Sequence, residues 1–374
     1  MDQKKTIIVL GQTPPPFNGQ AKMIAAMLDG LKDEFDLIHI RMAYSISVAE
    51  AGKFRFGKFL HLFALIARTW VALIKHRGAV LYYPPGSPNL VPMVRDLLFL
   101  AAVRPLAGRC VLHFHAGGQC RFAEKHKLLG GLLRLVYGRA DAVIIQGKSV
   151  PPDGSYFRAK RILTVPNGVN VPGRSDSMSS VMQRTRGSET FRILYVGIHT
   201  EGKGLFDLLE TARVLKETGL EFRIHTVGRW YAATEEERFL QQRRESGLDE
   251  YVFCQGRKTG DDLWREYAEA DVFFFPTFYE WETQGVVLLE AMAFGLPVVA
   301  SKWQGPLDVV DDGKTGLLCP VHGNDEFAHA LKRLAEDDVL YRQMSAYGRA
   351  RYLKTYTNEV YVGNLKQAFK EIIL

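Results

Sequence analysis

The sequence predicts two doubly wound α/β domains joined by a linker, and three observations carry that expectation. At 374 residues the chain is longer than a single hydrophobic core usually organises. Its opening plan, a short apolar strand from Thr6 to Leu10, a glycine-containing turn and a helix, is repeated at FRILYVGIHTEGKGLFDLLET, residues 191–211. Between the two halves, residues 172–190 are polar, Ser-rich and without periodicity, as a linker is. The expected divisions are 1–171, the linker at 172–190, and 191–351, with the rest helical. Two such halves suggest two facing Rossmann-like domains.

Composition narrows the class. A hydrophobic content of 47% with 24% charged residues is ordinary for a globular protein. The apolar run after MDQKK is too short for a signal peptide, and no stretch reaches the roughly 20 residues of a membrane span. A cytoplasmic chain without an integral anchor is expected. The four cysteines, Cys110, Cys120, Cys254 and Cys319, form no C-x-x-C pair, which suits free thiols. Cys110, His113, His115 and Cys120 resemble a zinc set in spacing. Strand alternation, however, turns the histidines to one face and Cys110 to the other. Charge is uneven. Residues 1–170 hold 23 Lys and Arg against 10 Asp and Glu, hence +13, and the remainder 25 against 31, hence −6. The first half should therefore meet something anionic. No recognisable nucleic-acid module accompanies that charge, so nucleic acid is not the expected partner.

Taken in order, Gly11 to Gly19 is a Pro-rich loop, GQTPPPFNG, leading into a helix from about Gln20 to Leu31. A strand, a loop and a helix start point backbone N–H groups at one spot, an arrangement that suits phosphate. Asp36–Ile40 is the next strand. Lys53–His76 reads as a long helix-like segment, and His61, Arg68 and Lys75, which recur every seven residues, make one basic stripe along a core helix. Strands follow at Val80–Tyr83 and Val111–His115, with a helix near Leu90–Val103 between them. His115 closes its strand, where side chains commonly face the crevice of such sheets. A helix at Leu128–Tyr137 and a strand at Ala142–Gln146 complete the half. In the second half, strands are expected at Phe222–Val227, Val252–Cys254 and Val272–Pro276. Lys203 stands just before a helix start, a natural site for a phosphate counter-charge.

The most informative stretch is Pro276–Ser301, PTFYEWETQGVVLLEAMAFGLPVVAS. Val286–Phe294 lacks strand alternation and is closed by Gly295 and Pro297, so it reads as a helix. Glu290 then sits among Val286, Val287, Ala293 and Phe294, a costly place for a carboxylate unless donors meet it. Glu282 lies just ahead of the helix start, where anions bind readily. A ligand with both hydroxyls and phosphates suits this pair. An α/β core with Glu290 paired to an Arg suits the same residues.

Glu282, seven residues, then Glu290 resembles the signature of the retaining glycosyltransferases of family 4. The resemblance implies a GT-B fold whose last helix, here residues 352–374, crosses back to the first domain. It implies that Glu282 faces the donor sugar and Glu290 the ribose hydroxyls, that Gln284, Gly285 and Val286 also bind the donor, and that the helix start at Gly285 serves the diphosphate. Glu280 is a rival for the first role, but only Glu282 has the spacing. HFHAGG places His115 at the family's donor-sugar contact. PPPFNGQA resembles the loop over the diphosphate, with Asn18 and Gly19 at its end. Lys203-Gly204 matches the diphosphate motif, but Ile198 occupies the usual Arg position, which leaves Arg229 or His199 as substitutes. Gly256-Arg257 falls where the base is touched. The implied activity is transfer of a sugar, with retention, from a nucleotide sugar to a glycan or polyprenyl-linked acceptor in cell-surface polysaccharide synthesis. No cofactor and no metal are expected; the sequence has no Asp-x-Asp. The basic first half suits peripheral docking on the anionic inner face of the plasma membrane, with Lys53–Phe59 and Arg121–Lys127 interleaving cations and aromatics. A nucleotide-sugar epimerase and a non-catalytic nucleotide-sugar binding protein share the architecture.

Overall fold

Continuous apolar strands buried on both faces dictate parallel sheets covered by helices on each side, and the chain builds two of them. The structure is a computed structural model that describes residues 4–15, 18–42, 56–171 and 190–373, residues 56–59 by backbone alone. The proposed linker up to residue 189, most of the Lys53–Phe59 stretch and residues 16–17 of the Pro-rich loop lie outside the described residues. Two compact units result: residues 1–168 with 358–374, and residues 169–357.

The first unit runs β1 (Thr6–Gly11), α1 (Gly19–Leu31), β2 (Asp36–Arg41), α2 (Phe56–Lys75), β3 (Val80–Tyr83), α3 (Leu90–Val103), β4 (Arg109–His113), α4 (Gln119–Lys125), α5 (Lys127–Tyr137), β5 (Ala142–Ile145), α6 (Asp153–Tyr156) and β6 (Ile162–Thr164). Its parallel sheet has the order β2-β1-β3-β4-β5-β6. The order reverses between β1 and β3, so the loops after those strands flank a switch point. β4 ends at His113, two residues short of the expected His115, because Phe114 still donates to Ile144 O but the chain then turns.

The second unit runs β7 (Phe191–Val196), α7 (Leu205–Glu217), β8 (Phe222–Val227), α8 (Ala233–Glu245), β9 (Val252–Cys254), α9 (Asp261–Glu269), β10 (Val272–Phe275), α10 (Val286–Ala293), β11 (Val298–Ser301), α11 (Gln304–Val309), β12 (Gly316–Cys319), α12 (Asn324–Glu336) and α13 (Asp338–Thr355). The sheet order is β12-β11-β10-β7-β8-β9, with its switch between β7 and β10.

The units divide at Gly168–Val169 and Thr357–Asn358, rather than near 171 and 351. Val169 is held by the second unit: it donates to Tyr356 O at 2.9 Å and accepts from Tyr352 Oη at 2.9 Å. The last helix, α14 (Asn358–Ile373), belongs to the first unit. Its Tyr361, Leu365 and Phe369 are fully buried with Ile7, Met23 and Phe35. Each such side chain contributes about 1.5–3 kcal/mol when buried. Lys366 and Lys370 close the contact at Glu34, at 2.6 and 2.7 Å. No helix among the described residues is long and apolar enough to cross a membrane.

Candidate functional site

The loops that leave β7 and β10 stand on either side of the second unit's switch point, and they are laced together. Phe278 donates its N–H to Gly202 O at 2.9 Å. Gly204 has φ +75°, and a Cβ there would come within 2.0 Å of Pro276 O, so only glycine permits the approach. From the other side, Trp303 Nε1 donates to Tyr279 O and Gln304 Nε2 to Glu280 O. This frame brings Lys203 Nζ to 2.5 Å from Glu282 Oε2, with side chains 15% and 9% exposed. Lys203 also lies 4.6 Å from the centre of the Tyr279 ring. Burial first and Glu282 second hold the Tyr195 phenol protonated, and Tyr279 is raised mainly by burial. Two residues that the sequence suggested separately, for phosphate and for sugar, thus form one ion pair. Sealing a pair this far from water costs each ion several kcal/mol, so stability alone does not explain it.

Gly285, at φ +72°, turns the chain into α10 and offers no side-chain cap. Among the first N–H groups of α10, that of Leu288 donates to Gly285 O at 2.8 Å, and Gln284, just ahead of the turn, is buried. Glu290 is 3% exposed, and its Oε2 accepts from Tyr267 Oη at 3.0 Å. One partner of this carboxylate is therefore a neutral phenol on α9. Burial, and next the adjoining carboxylate, push the Tyr267 pKa well up, so it stays a donor.

The turn after β7 is knitted to the turn after β8. His199 N–H donates to Arg229 O at 2.9 Å and Tyr231 N–H to His199 O at 3.0 Å. Arg229 is half-buried there and Ile198 exposed. His199 is fully buried between Tyr195 and Trp230, with both ring nitrogens unpartnered among the described residues. Burial lowers its pKa from 6.5 to about 4. Of the two substitutes for the missing arginine, His199 is thus neutral at pH 7, and Arg229 is the one that carries charge. The unfolded histidine takes a proton below about 6.5 and the folded one resists it, so stability is full above that pH and falls as pH drops toward 4. His199→Phe is expected to keep its stability at pH 7 and to lose part of that acid dependence, read from melting temperatures at pH 7 and 5. An abolished activity in that variant would instead give His199 a direct role.

Arg257 is exposed on the turn after β9. Beside it, Lys258 and His225 both hold Glu266, the latter at 3.0 Å. Burial works to raise Glu266, but these two hydrogen bonds outweigh it and lower its pKa.

In the first unit, Asn18 caps α1 by accepting from Ala21 N–H at 2.8 Å, and Gly19 is the first helical residue. His115 is half-buried past the end of β4, its ring centre 4.0 Å from that of His113. Tyr82 Oη lies 2.8 Å from His113 Nδ1 and 3.4 Å from His115 Nε2. Burial pushes His115 down to about 3 and His113 well down, so both are neutral. Cys110 packs into the core instead, and among the described residues no set of three or more His, Cys, Asp or Glu is placed to hold a metal. Sequence reasoning missed Tyr82 and Tyr267. Their only signal is a hydroxyl at an inward register position.

Two six-stranded parallel sheets, each with its site loops at the strands' carboxyl ends, define a GT-B protein. HepE of Anabaena, solved with UDP and glucose, has the same fold: TM-score 0.72, 16% identity, 99% of this chain and 100% of that one covered. Within that class the chain is similar to the glycosyltransferases of family 4. Residues 182–351 match the model of the glycosyl transferases group 1. The phosphatidyl-myo-inositol mannosyltransferase of Mycobacterium leprae is 33% identical over 214 residues, 56% of this chain and 53% of that protein. The amylovoran biosynthesis glycosyltransferase AmsK of Erwinia amylovora is 32% identical over 155 residues, 40% of this chain and 37% of that protein. The chain thus spans about half, or less, of the curated relatives it matches.

Proposed function

We propose that this chain is a glycosyltransferase that moves a sugar from a nucleoside diphosphate sugar to a glycan or lipid-linked acceptor in cell-surface polysaccharide synthesis, retaining the anomeric configuration. The observation that carries this reading is the Lys203–Glu282 pair at the open start of α10, eight residues ahead of buried Glu290. In the reaction the bond from the anomeric carbon to the diphosphate oxygen breaks. A bond to an acceptor hydroxyl forms, and that hydroxyl's proton leaves with the nucleoside diphosphate. Lys203, Arg229 and the first N–H groups of α10 stabilise the charge on the departing diphosphate. Glu282 orients the sugar hydroxyls, and Glu290 accepts from the ribose. Arg257 lies at the base. In the first unit, neutral and half-buried His115 and the loop end at Asn18 and Gly19 are assigned to the donor by their motifs alone.

Acceptor-dependent release of a nucleoside diphosphate, assayed with a panel of nucleotide sugars and membrane extract, tests the proposal. An epimerase releases no nucleotide on adding acceptor, and a binding protein turns over nothing. The excess of positive charge in residues 1–170 favours transfer, since it gives an anionic acceptor somewhere to dock. We place that docking at the cytoplasmic face of a membrane, without a span. Turnover is expected to persist in excess chelator, because side-chain cations and a helix start serve the diphosphate. Complete loss of turnover, restored by adding a divalent ion, overturns that part.

A further inference from the structure

Three helices of the first unit present an outer face that water does not suit. α2 lies beside α3 and α3 beside α5, all on one side of the sheet. Trp70 ties α2 to α3 by donating its indole N–H to Ala102 O at 2.8 Å. The inward residues of these helices, such as Leu65, Phe99 and Leu133, are core. The outward ones are apolar as well. Phe63, Val71 and Ile74 project along α2, Leu98 along α3, and Leu128 and Leu135 along α5, with Val71 67% and Leu128 85% exposed. Helical spacing sets each group in one outer stripe. Exposed apolar stripes on neighbouring helices of one folded unit mark an interaction surface.

Charge identifies the occupant. The exposed ionised residues of the described parts of α2, α3 and α5 are cations: Arg68, Lys75, Lys127 and Arg134. The one carboxylate on these helices, Asp96, is fully buried and accepts from Tyr83, Tyr137 and Gly86. A second copy of the chain would bring cation against cation. An anionic bilayer meets both features at once, taking apolar stripes into its acyl boundary and cations among its phosphates.

We propose that the α2–α3–α5 face docks on an anionic lipid bilayer. This deepens the membrane part of the proposed function and is independent of its transfer chemistry. Each cation near the headgroups contributes about a five-fold gain in partitioning. The test is co-sedimentation of the full chain, with no sugar donor, on phosphatidylcholine vesicles and on vesicles containing phosphatidylglycerol, at low and high salt. Salt-sensitive binding to the anionic vesicles is expected. Phe63→Gln with Val71→Gln, and separately Leu128→Gln with Leu135→Gln, should each weaken it about ten-fold or more. Exposed positions spare the fold, which an unchanged melting temperature verifies. Equal binding to both vesicles, binding to neither, or binding indifferent to both double substitutions overturns the proposal. So does a dimer in sedimentation velocity that the same substitutions dissolve. With no donor present, failure here leaves nucleotide release untouched, and failure of release leaves docking untouched.

Discussion

Lys203→Ala is expected to lower turnover at saturating donor between about a hundred- and a thousand-fold, the range for removing one preorganised charge from a developing anion. The Michaelis constant should change less, because the charge on the leaving diphosphate grows in the transition state. The ion pair adds a second effect that the sequence did not suggest. Removing Lys203 leaves Glu282 buried without its cation, 2.5 Å from where the ammonium stood. Breaking a buried pair from one side costs about 3–5 kcal/mol. The melting temperature should therefore fall too. Lys203→Met with Glu282→Gln removes both charges at similar volume, so it should recover most of the stability and none of the turnover. Near-normal turnover in Lys203→Ala would pass the diphosphate role to another cation, with Arg229 next in line.

The strand and helix plan of both units was legible because each buried strand is a short apolar run punctuated by Gly or Pro. Leu90–Val103, Phe222–Val227 and Val252–Cys254 are observed with the bounds that local pattern indicates. What local pattern cannot carry is pairing over distance. Lys203 and Glu282 are 79 residues apart and Tyr267 and Glu290 are 23 apart; each meets its partner only because β7 and β10 are neighbours or because α9 packs beside α10. The outer face of α2 was misread for a different reason. His61, Arg68 and Lys75 mark its polar edge, but apolar residues occupy most of the remaining circumference. Such a helix gives no sign of which apolar side meets the sheet. The structure turns Leu62, Leu65 and Leu73 inward and leaves Phe63, Val71 and Ile74 outside.

Glu290→Gln is expected to weaken nucleoside diphosphate binding about ten-fold or somewhat more, which corresponds to losing a hydrogen bond to a charged acceptor. A carboxylate presents two acceptor oxygens, whereas an amide presents one acceptor and a donor that a ribose hydroxyl must turn to meet. The fold should tolerate the change. The amide oxygen can still accept from Tyr267 Oη, now 3.0 Å from Glu290 Oε2, and the side-chain volume is unchanged. Tyr267→Phe makes the opposite cut. It keeps the carboxylate and removes a buried donor to it, so it should cost about 1–3 kcal/mol of stability while changing nucleotide affinity less than Glu290→Gln does. Calorimetry with nucleoside diphosphate, alongside thermal melts, separates the two effects. Unchanged affinity in a folded Glu290→Gln protein would remove Glu290 from the binding site and leave it as a carboxylate that serves only to join α9 to α10.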